Sequence, residues 1–291
     1  MNTRFFFCLL AASLVAAGRS MAADQVATVT EAVHTVDHGS SQSTASSPAT
    51  KGTRIHDSEY VKTGDSSRAE LQFSNKTVSR LGSNTIFNYS ASANEVDLQA
   101  GTILFSKPKD GKQLNIKTEA VTAAIVGTTG FLQVSHHNGH TFTLFGLVEG
   151  HANVTAGGSD PEIGPGEILI FTPGAPPQII HFNVPLFLKT SLLFTGFPDD
   201  LPNQAYINKE IARYKALVAD GFIVSSSFTP YAPYGGLDLP PPFWLPGALD
   251  SAGNGRNIFN ASGLLPPPVT TKTECCRPCC WRWCCRDRNS G

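Results

Sequence analysis

The chain alternates between hydrophobic and polar residues from about Ile55 to Pro173. In residues 69–74, for example, alanine, leucine and phenylalanine alternate with glutamate, glutamine and serine. Successive side chains of a β-strand point to opposite faces, so each such segment is predicted to be a strand that buries one face. Turn residues separate the segments at intervals of roughly 8–12 residues, which favours an all-β sandwich, barrel or roll of short antiparallel strands.

Glycines are predicted to shape the connections between these strands. Asn138 and Gly139 lie between two alternating segments and predict a hairpin, because both residues tolerate positive φ. Gly101, Gly150 and Gly166 each precede alternating hydrophobic positions and predict tight bends. The other segments predicted as strands on the same pattern are residues 26–36, 96–99, 103–105, 131–135, 141–148, 152–155 and 168–172.

One helical pattern follows the strands. Hydrophobic residues recur at helical spacing between residues 206 and 218, and Gly221 is placed as a stop. After residue 223 the chain is rich in proline, which predicts an extended or disordered tail. The predicted organisation is a signal peptide (1–23), an N-terminal strand with a serine-rich loop (24–51), a β domain (52–198), a helical segment (199–223) and the tail (224–291).

The N-terminus has the features of a secretory signal peptide. Arg4 precedes a hydrophobic stretch at residues 5–18, which is shorter than the roughly 20 residues that span a bilayer. Small residues follow, and Ser20 and Ala22 fit a cleavage site. We therefore expect an exported protein, periplasmic or secreted, with no membrane span after cleavage; an uncleaved anchor is the alternative.

Composition limits the classes of function. Charged residues make up 15% of the 291-residue chain, too few for a long coiled coil, and hydrophobic residues make up 41%, enough for a core. The formal net charge of −1 provides no basic surface for nucleic acid or for an anionic membrane.

A histidine cluster, His136, His137 and His140, is a candidate metal site because neutral imidazoles bind Zn²⁺ or Ni²⁺. It lies on the predicted hairpin tip, where adjacent side chains point to opposite faces, and no cysteine or carboxylate lies within five residues. A solvated turn is therefore the favoured interpretation, and no cofactor is predicted.

Every cysteine beyond the predicted signal peptide lies in the tail, within residues 275–285. An oxidising compartment permits disulfides, including bridges that link the chain to a partner or to a second copy. A thiolate metal cluster, adhesion of the cationic and aromatic tip to an anionic surface, and a tail without selected chemistry are the alternatives. The residues are Cys275, Cys276, Cys279, Cys280, Cys284 and Cys285.

No enzyme signature is present in the sequence. It contains no Gly-x-Ser-x-Gly, no His-Glu-x-x-His and no Walker A motif. The glycines at 127 and 130 lie between two strand patterns without a following lysine and helix, so they indicate a turn rather than a phosphate loop. We expect a protein that is not an enzyme.

Six segments in order resemble the FecR-type domain. Thr63, Gly64, Ser66, Arg68 and Leu71 follow its strand-entry motif, and residues 118–131 are similar to its core motif, with Gly130 as an additional residue before the phenylalanine. The other matching segments are residues 81–86, 96–105, 148–154 and 163–167. Together they cover residues 52–173.

The resemblance implies a periplasmic β domain without catalytic residues. FecR proteins also have an anti-sigma segment and one transmembrane helix, and they relay a signal from an outer-membrane transporter to a sigma factor. This sequence departs from that plan, since it has a predicted cleavable signal peptide and no later hydrophobic span. We therefore expect a binding or scaffolding module that recognises an envelope protein or glycan; the alternative is a signalling component that acts with a separate membrane partner.

Overall fold

A computed structural model of the protein describes residues 25–41, 43, 45–137 and 139–221, with Gln25 and His137 described by their backbone alone. Strands account for 49% and helices for 14% of the described residues, which confirms the all-β class. The strands are β1 (Gln25–Val33), β2 (Val36–Ser40), β3 (Ser47–Pro48), β4 (Arg54–His56), β5 (Glu59–Thr63), β6 (Arg68–Phe73), β7 (Val78–Leu81), β8 (Ile86–Ser90), β9 (Glu95–Ser106), β10 (Leu114–Lys117), β11 (Val121–Ile125), β12 (Thr129–His137), β13 (His140–Glu149), β14 (Ala152–Ala156), β15 (Glu162–Ile163), β16 (Glu167–Phe171) and β17 (Gln178–His181).

The strands form two packed sheets that share β9. One sheet, which we call the covered sheet, has the order β4-β1-β6-β7-β9-β12-β13-β16-β17 and is antiparallel throughout. The other, the open sheet, has the order β3-β2-β5-β8-β9-β10-β11-β14-β15. Its β9–β10 pair is parallel, so the strands of the open sheet are not all antiparallel as the sequence analysis expected.

Strand β9 passes from the open sheet to the covered sheet at Gly101. This glycine has a φ of +87°, and an added Cβ would lie 2.4 Å from the Cα of Thr85. Only a residue without a side chain fits both restrictions. Gly150 and Gly166 also have positive φ, so all three predicted glycine bends are confirmed.

The main hydrophobic core lies between the two sheets. In the open sheet every second residue faces this core; in β11, Val121, Ala123 and Ile125 are buried, whereas Thr122 is exposed. This confirms the predicted period-two pattern, in which burial of one face provides most of the stabilisation.

The covered sheet buries both faces of its central strands, such as β7 and β13, which the alternation did not predict. Three helices pack on its outer face, namely α1 (Val184–Thr190), α2 (Leu192–Thr195) and α3 (Gln204–Ala219). We call residues 182–219 the helical cap. The cap and the sheet enclose a second core in which Phe131 contacts Phe187, with ring centroids 4.6 Å apart, and Phe182, at 5.6 Å.

A buried ion pair lies beneath the cap. Glu70 on β6 and Arg80 on β7 are cross-strand partners, and Arg80 Nε donates a hydrogen bond to Glu70 Oε2 at 2.6 Å. The residues are only 4% and 1% exposed. The expectation that Glu70 lies on a solvent-facing side of its strand is therefore wrong, because the cap covers that side.

The guanidinium of Arg80 also holds the chain of the cap. Its Nη1 donates to the carbonyl of Leu193 at 3.1 Å, its Nη2 donates to the carbonyl of Asp199, and its Cζ lies 4.8 Å from the ring centroid of Phe197. One of these donors satisfies the carbonyl of Leu193, which lies in the last turn of α2 and has no partner within that helix. Arg80 thus connects the sheet to the cap.

A second polar cluster fixes the start of α3. Asn203, the N-cap residue, donates to the carbonyl of Lys107 at 2.8 Å and lies 3.3 Å from Glu149 Oε2. Glu149 is buried and also pairs with Lys109. Burial raises the pKa of Glu149 above its ordinary value of 4.5, although the Lys109 ammonium acts in the opposite direction.

The sequence analysis predicted one of the three described helices, α3, and missed the other two. Helix α3 lies inside the predicted helical segment and ends before Gly221, whose φ is +73°. Helices α1 and α2 were not predicted, because they are short and their sequence has no clear helical period. The proposed domain boundaries stay predictions. The predicted signal peptide and the predicted tail lie outside the described residues.

We predict that Arg80→Met reduces the free energy of unfolding by about 3–5 kcal/mol, because it leaves the Glu70 carboxylate buried without its cation. Urea unfolding of the purified protein measures this change. Arg68→Met is the matched control, since Arg68 donates to one carbonyl of the cap, that of Gly196, at 3.1 Å; its loss should be about 1 kcal/mol.

The double variant Glu70→Leu/Arg80→Met should recover most of the stability lost in Arg80→Met, because no buried charge is left unpaired. An Arg80→Met loss no larger than that of Arg68→Met would contradict the role that we assign to this pair.

Glu149 and Asp110 should change stability with pH in opposite directions. The folded protein binds a proton at Glu149 more tightly than the unfolded chain does, so ionisation of Glu149 costs stability as the pH rises above its ordinary pKa of 4.5. The pKa of Asp110 is lowered from 3.8 by the hydrogen bond from Lys107, so its ionised form stabilises the fold.

We therefore expect Glu149→Gln to gain stability relative to the wild type, and Asp110→Asn to lose it, as the pH rises from about 3 to about 7. Urea unfolding across this range tests both signs. If the two differences change in the same direction with pH, the assigned environments are wrong.

Candidate binding surface

The outer face of the open sheet carries a continuous row of polar side chains across five strands. Asn88 on β8 is paired in register with Asp97 on β9, which is paired with Lys117 on β10, then Thr122 on β11 and Thr155 on β14. We call these five residues the polar row. Their side chains share one face because each alternates with a buried neighbour in its own strand.

A second row lies one step along the strands. It runs Ser90, Glu95, Asn115, Ala124 and Asn153, again by direct pairing. Glu95 Oε1 lies 4.0 Å from the Lys117 ammonium, which connects the two rows. The face therefore offers amides, hydroxyls and charges of both signs.

Much of the hydrogen-bonding capacity of this face is unused within the protein. Among the residues that the structure describes, the side chains of Asn88, Asp97, Thr122 and Asn153 make no hydrogen bond or ion pair with another protein group. A ligand can therefore meet donors and acceptors here by replacing water, without first breaking bonds in the protein.

Two shallow clefts lie on the same face. The larger, of about 360 Å³, is lined by Asp97, Gln99, Lys117, Thr118, Glu119 and His136. The smaller, of about 230 Å³, lies among Glu95, Asn115, Thr122, Asn153 and Thr155. Both clefts are lined by residues of the polar row and both are shallow, so the face is a shallow polar trough rather than a deep pocket.

The predicted hairpin closes one end of the larger cleft. Strands β12 and β13 pair as far as His137 and His140, which confirms the hairpin around Asn138 and Gly139. His136 Nε2 lies 2.9 Å from the carbonyl of Gln99, and its Nδ1 lies 3.2 Å from Thr141 Oγ1. Thr141 donates to Glu119 Oε2 at 2.6 Å, so the hairpin is tied to the turn between β10 and β11.

Among the described residues, the histidines of the predicted cluster do not come together as metal ligands. Both ring nitrogens of His136 contact protein groups, and His140 is an exposed residue at the start of β13. Within the described ranges no group of three or more histidine, cysteine, aspartate or glutamate side chains could hold a metal ion. The side chain of His137 lies outside those ranges, as do Cys275, Cys276, Cys279, Cys280, Cys284 and Cys285, so the metal and disulfide hypotheses stay predictions.

The sheet edges offer little backbone for pairing with another chain. The edge strands β3 and β15 of the open sheet have two residues each, and the edge strands β4 and β17 of the covered sheet have three and four. Short edge strands are a common way to prevent pairing between molecules. Recognition by the described residues is therefore better supported on the open face than at an edge.

The sequence analysis did not identify the polar row. It predicted a strand at residues 96–99 that buries one face, which places Asp97 opposite Val96 and Leu98, and that orientation is confirmed. The alternation identifies an outward-facing residue in each strand, but it contains no information on which outward-facing residues become neighbours. That depends on the pairing register.

Comparison with known proteins identifies a family whose model matches part of the chain. The model of the family described as FecR protein matches residues 59–153, about a third of the chain. No curated protein matches the chain. Within the described residues, none of the helices has the length and hydrophobicity needed to cross a membrane.

Two crystal structures of a candidate anti-sigma factor from Parabacteroides distasonis, at 1.65 and 2.50 Å resolution, are similar to part of the chain. Each has 13% sequence identity and a TM-score of 0.38, and the match covers 42% of this chain. The match spans 59% of the length of those structures.

The chain therefore carries a FecR domain, as the sequence motifs indicated. The matched residues, 59–153, include β5 to β13 and most of the polar row; Thr155 lies two residues beyond the match.

Proposed function

We propose that this protein is an exported, non-enzymatic FecR-domain protein that binds a macromolecule of the bacterial cell envelope with the outer face of its open sheet. The observation that carries the proposal is the polar row together with the second row beside it. These rows form a broad face with unused hydrogen-bonding groups, and they lie largely within the FecR domain.

The shape of this face supports binding rather than catalysis. Catalysis needs activated groups that converge in a pocket from which water is excluded. The polar row instead lies on a shallow, open surface, and its side chains point in parallel from adjacent strands. Such a surface suits a large ligand that makes many weak contacts.

Export is proposed from the N-terminal sequence alone. The arginine, the short hydrophobic stretch and the small residues before position 23 are typical of a signal peptide. An envelope location would bring the open sheet into contact with envelope proteins and glycans, which are the partners that the sequence analysis expected.

The FecR domain also favours a second candidate function, a periplasmic signalling component that acts with a separate membrane partner. This candidate requires a protein partner in the membrane. Treating isolated envelopes with protease before the binding experiment separates it from glycan recognition, because only a protein partner would be destroyed.

Co-sedimentation of the purified full chain with isolated bacterial envelopes tests the proposed function. We predict that wild type sediments with the envelopes and that the row variant, Asn88→Ala/Asp97→Ala/Thr122→Ala, loses at least about tenfold in affinity, a cost of about 1.4 kcal/mol. Truncation of half-exposed or exposed side chains should leave the unfolding midpoint in urea close to that of the wild type.

The matched control is a cap variant, Asn208→Ala/Arg213→Ala/Lys215→Ala, which truncates exposed residues of α3 on the opposite side of the molecule. It should sediment like the wild type. Equal sedimentation of wild type and row variant, or no sedimentation of either, would reject the open face as the binding surface.

A further inference from the structure

The charged groups around the polar row are mixed, with more carboxylates than ammonium groups. Lys117 is opposite Asp97 in register and 4.0 Å from Glu95, and Glu119 lines the same cleft. A polyanion would therefore be repelled. Carboxylates also accept hydrogen bonds from hydroxyl groups, so the face suits a hydroxyl-rich ligand without net charge.

The five residues of the polar row include none of the side chains on which protein partners usually depend. Interfaces between proteins concentrate their binding energy in aromatic and arginine anchors that become buried in pockets. The polar row has amide, carboxylate, ammonium and hydroxyl groups instead. Over the part of the chain that the structure describes, the exposed large hydrophobic residues are Val126, at the rim beyond β11, and Tyr206, on the helical cap.

The spacing of the row favours an extended ligand with a short chemical repeat. Adjacent strands lie about 4.8 Å apart, so the four steps from Asn88 to Thr155 span about 19 Å. One such step is close to the length of one sugar unit in an extended polysaccharide. Successive sugars can therefore present their hydroxyl groups to successive strands of the sheet.

The row ends at an aromatic ring. Tyr60 on β5 is paired with Asn88. Its hydroxyl end lies beside Gly39 on β2 and the loop that follows, since an added Cβ at Gly39 would lie 2.9 Å from the tyrosine hydroxyl oxygen and 2.6 Å from the carbonyl oxygen of Ala45. A half-exposed tyrosine has an apolar body with a polar tip, which matches the mixed character of a sugar ring.

From these observations we infer that the polar row binds an uncharged, extended glycan strand, which lies across the strands of the open sheet from Tyr60 towards Thr155. The inference rests on the proposed function and specifies its ligand. Amides, carboxylates and hydroxyls hydrogen-bond to the sugar hydroxyls, and the sheet supplies the repeat that matches the chain of sugars.

Isothermal titration calorimetry of the full chain with two uncharged probes, the fully N-acetylated chitohexaose and cellohexaose, tests the inference. We expect saturable binding of at least one hexasaccharide, at least about tenfold tighter than binding of its disaccharide, because the longer chain contacts more strands. Because the ligand carries no charge, the affinity should change less than about twofold between low and moderate salt.

The variants test whether the hexasaccharide binds at the polar row. The row variant should lose at least about tenfold in affinity for the hexasaccharide, whereas the cap variant should bind like the wild type. Tyr60→Ala should weaken binding, and Tyr60→Phe should retain most of it, since the ring face is the contacting surface. Unfolding midpoints in urea identify any variant whose loss of binding arises from loss of the fold.

Three outcomes would overturn the inference: no saturable binding of either hexasaccharide, equal binding by the row variant, or binding confined to the anionic polymer polygalacturonate with a steep salt dependence. Failure here is distinct from failure of the proposed function. If the hexasaccharides do not bind but sedimentation with envelopes still requires the row and is lost after protease treatment, the partner is a protein and the binding face stands.

Discussion

The position of the helical cap determines which sheet surface stays open, and the second core together with the ion pair between Glu70 and Arg80 holds the cap in place. The pair lies in the covered sheet, where Arg80 also donates to carbonyls of the cap. The pair is stable in this buried place because the cap supplies the remaining acceptors, and the cap is fixed in turn by these donors. Since the cap covers one outer face, the polar face of the open sheet is the extended sheet surface that the described residues leave in contact with water.

The two sheets consequently have different roles. The covered sheet is buried on both faces of its central strands and carries its polar groups in satisfied clusters, such as the one that joins Asn203 to Lys107 and Glu149. Those clusters position the cap and are largely removed from solvent. The open sheet buries one face against the main core and leaves the other polar, so it combines a rigid support with a surface that exchanges hydrogen bonds with its surroundings.

The sequence predicted the local structure well because local structure depends on near neighbours. The period-two alternation predicted the strands, and Gly101, Gly150 and Gly166 predicted the bends where positive φ is required. It failed where a distant segment decides the environment of a residue. Glu70 alternates with hydrophobic residues like any solvent-facing residue, and nothing near it in the chain shows that residues more than a hundred positions later cover it.

The candidate surface was predictable in part for the same reason. That Asp97 points away from the core follows from its own strand, and this was expected. That Asp97 lies between Asn88 and Lys117 follows from pairing across three strands, of which the β9–β10 pair is parallel. Register is set by turns and by the fit of the core, so the row could be recognised only in the folded structure.

Hydroxyl-radical footprinting of the full chain, free and bound to isolated envelopes, tests the central claim most directly. It reports the solvent access of both sides of the molecule in one sample. The account predicts that bound protein is protected at Tyr60 and along the strands of the open sheet, while exposed residues of α3, Tyr206 among them, react as in the free protein. Protection of α3 with an unchanged open face would show that the helical cap is the binding surface and would contradict the account.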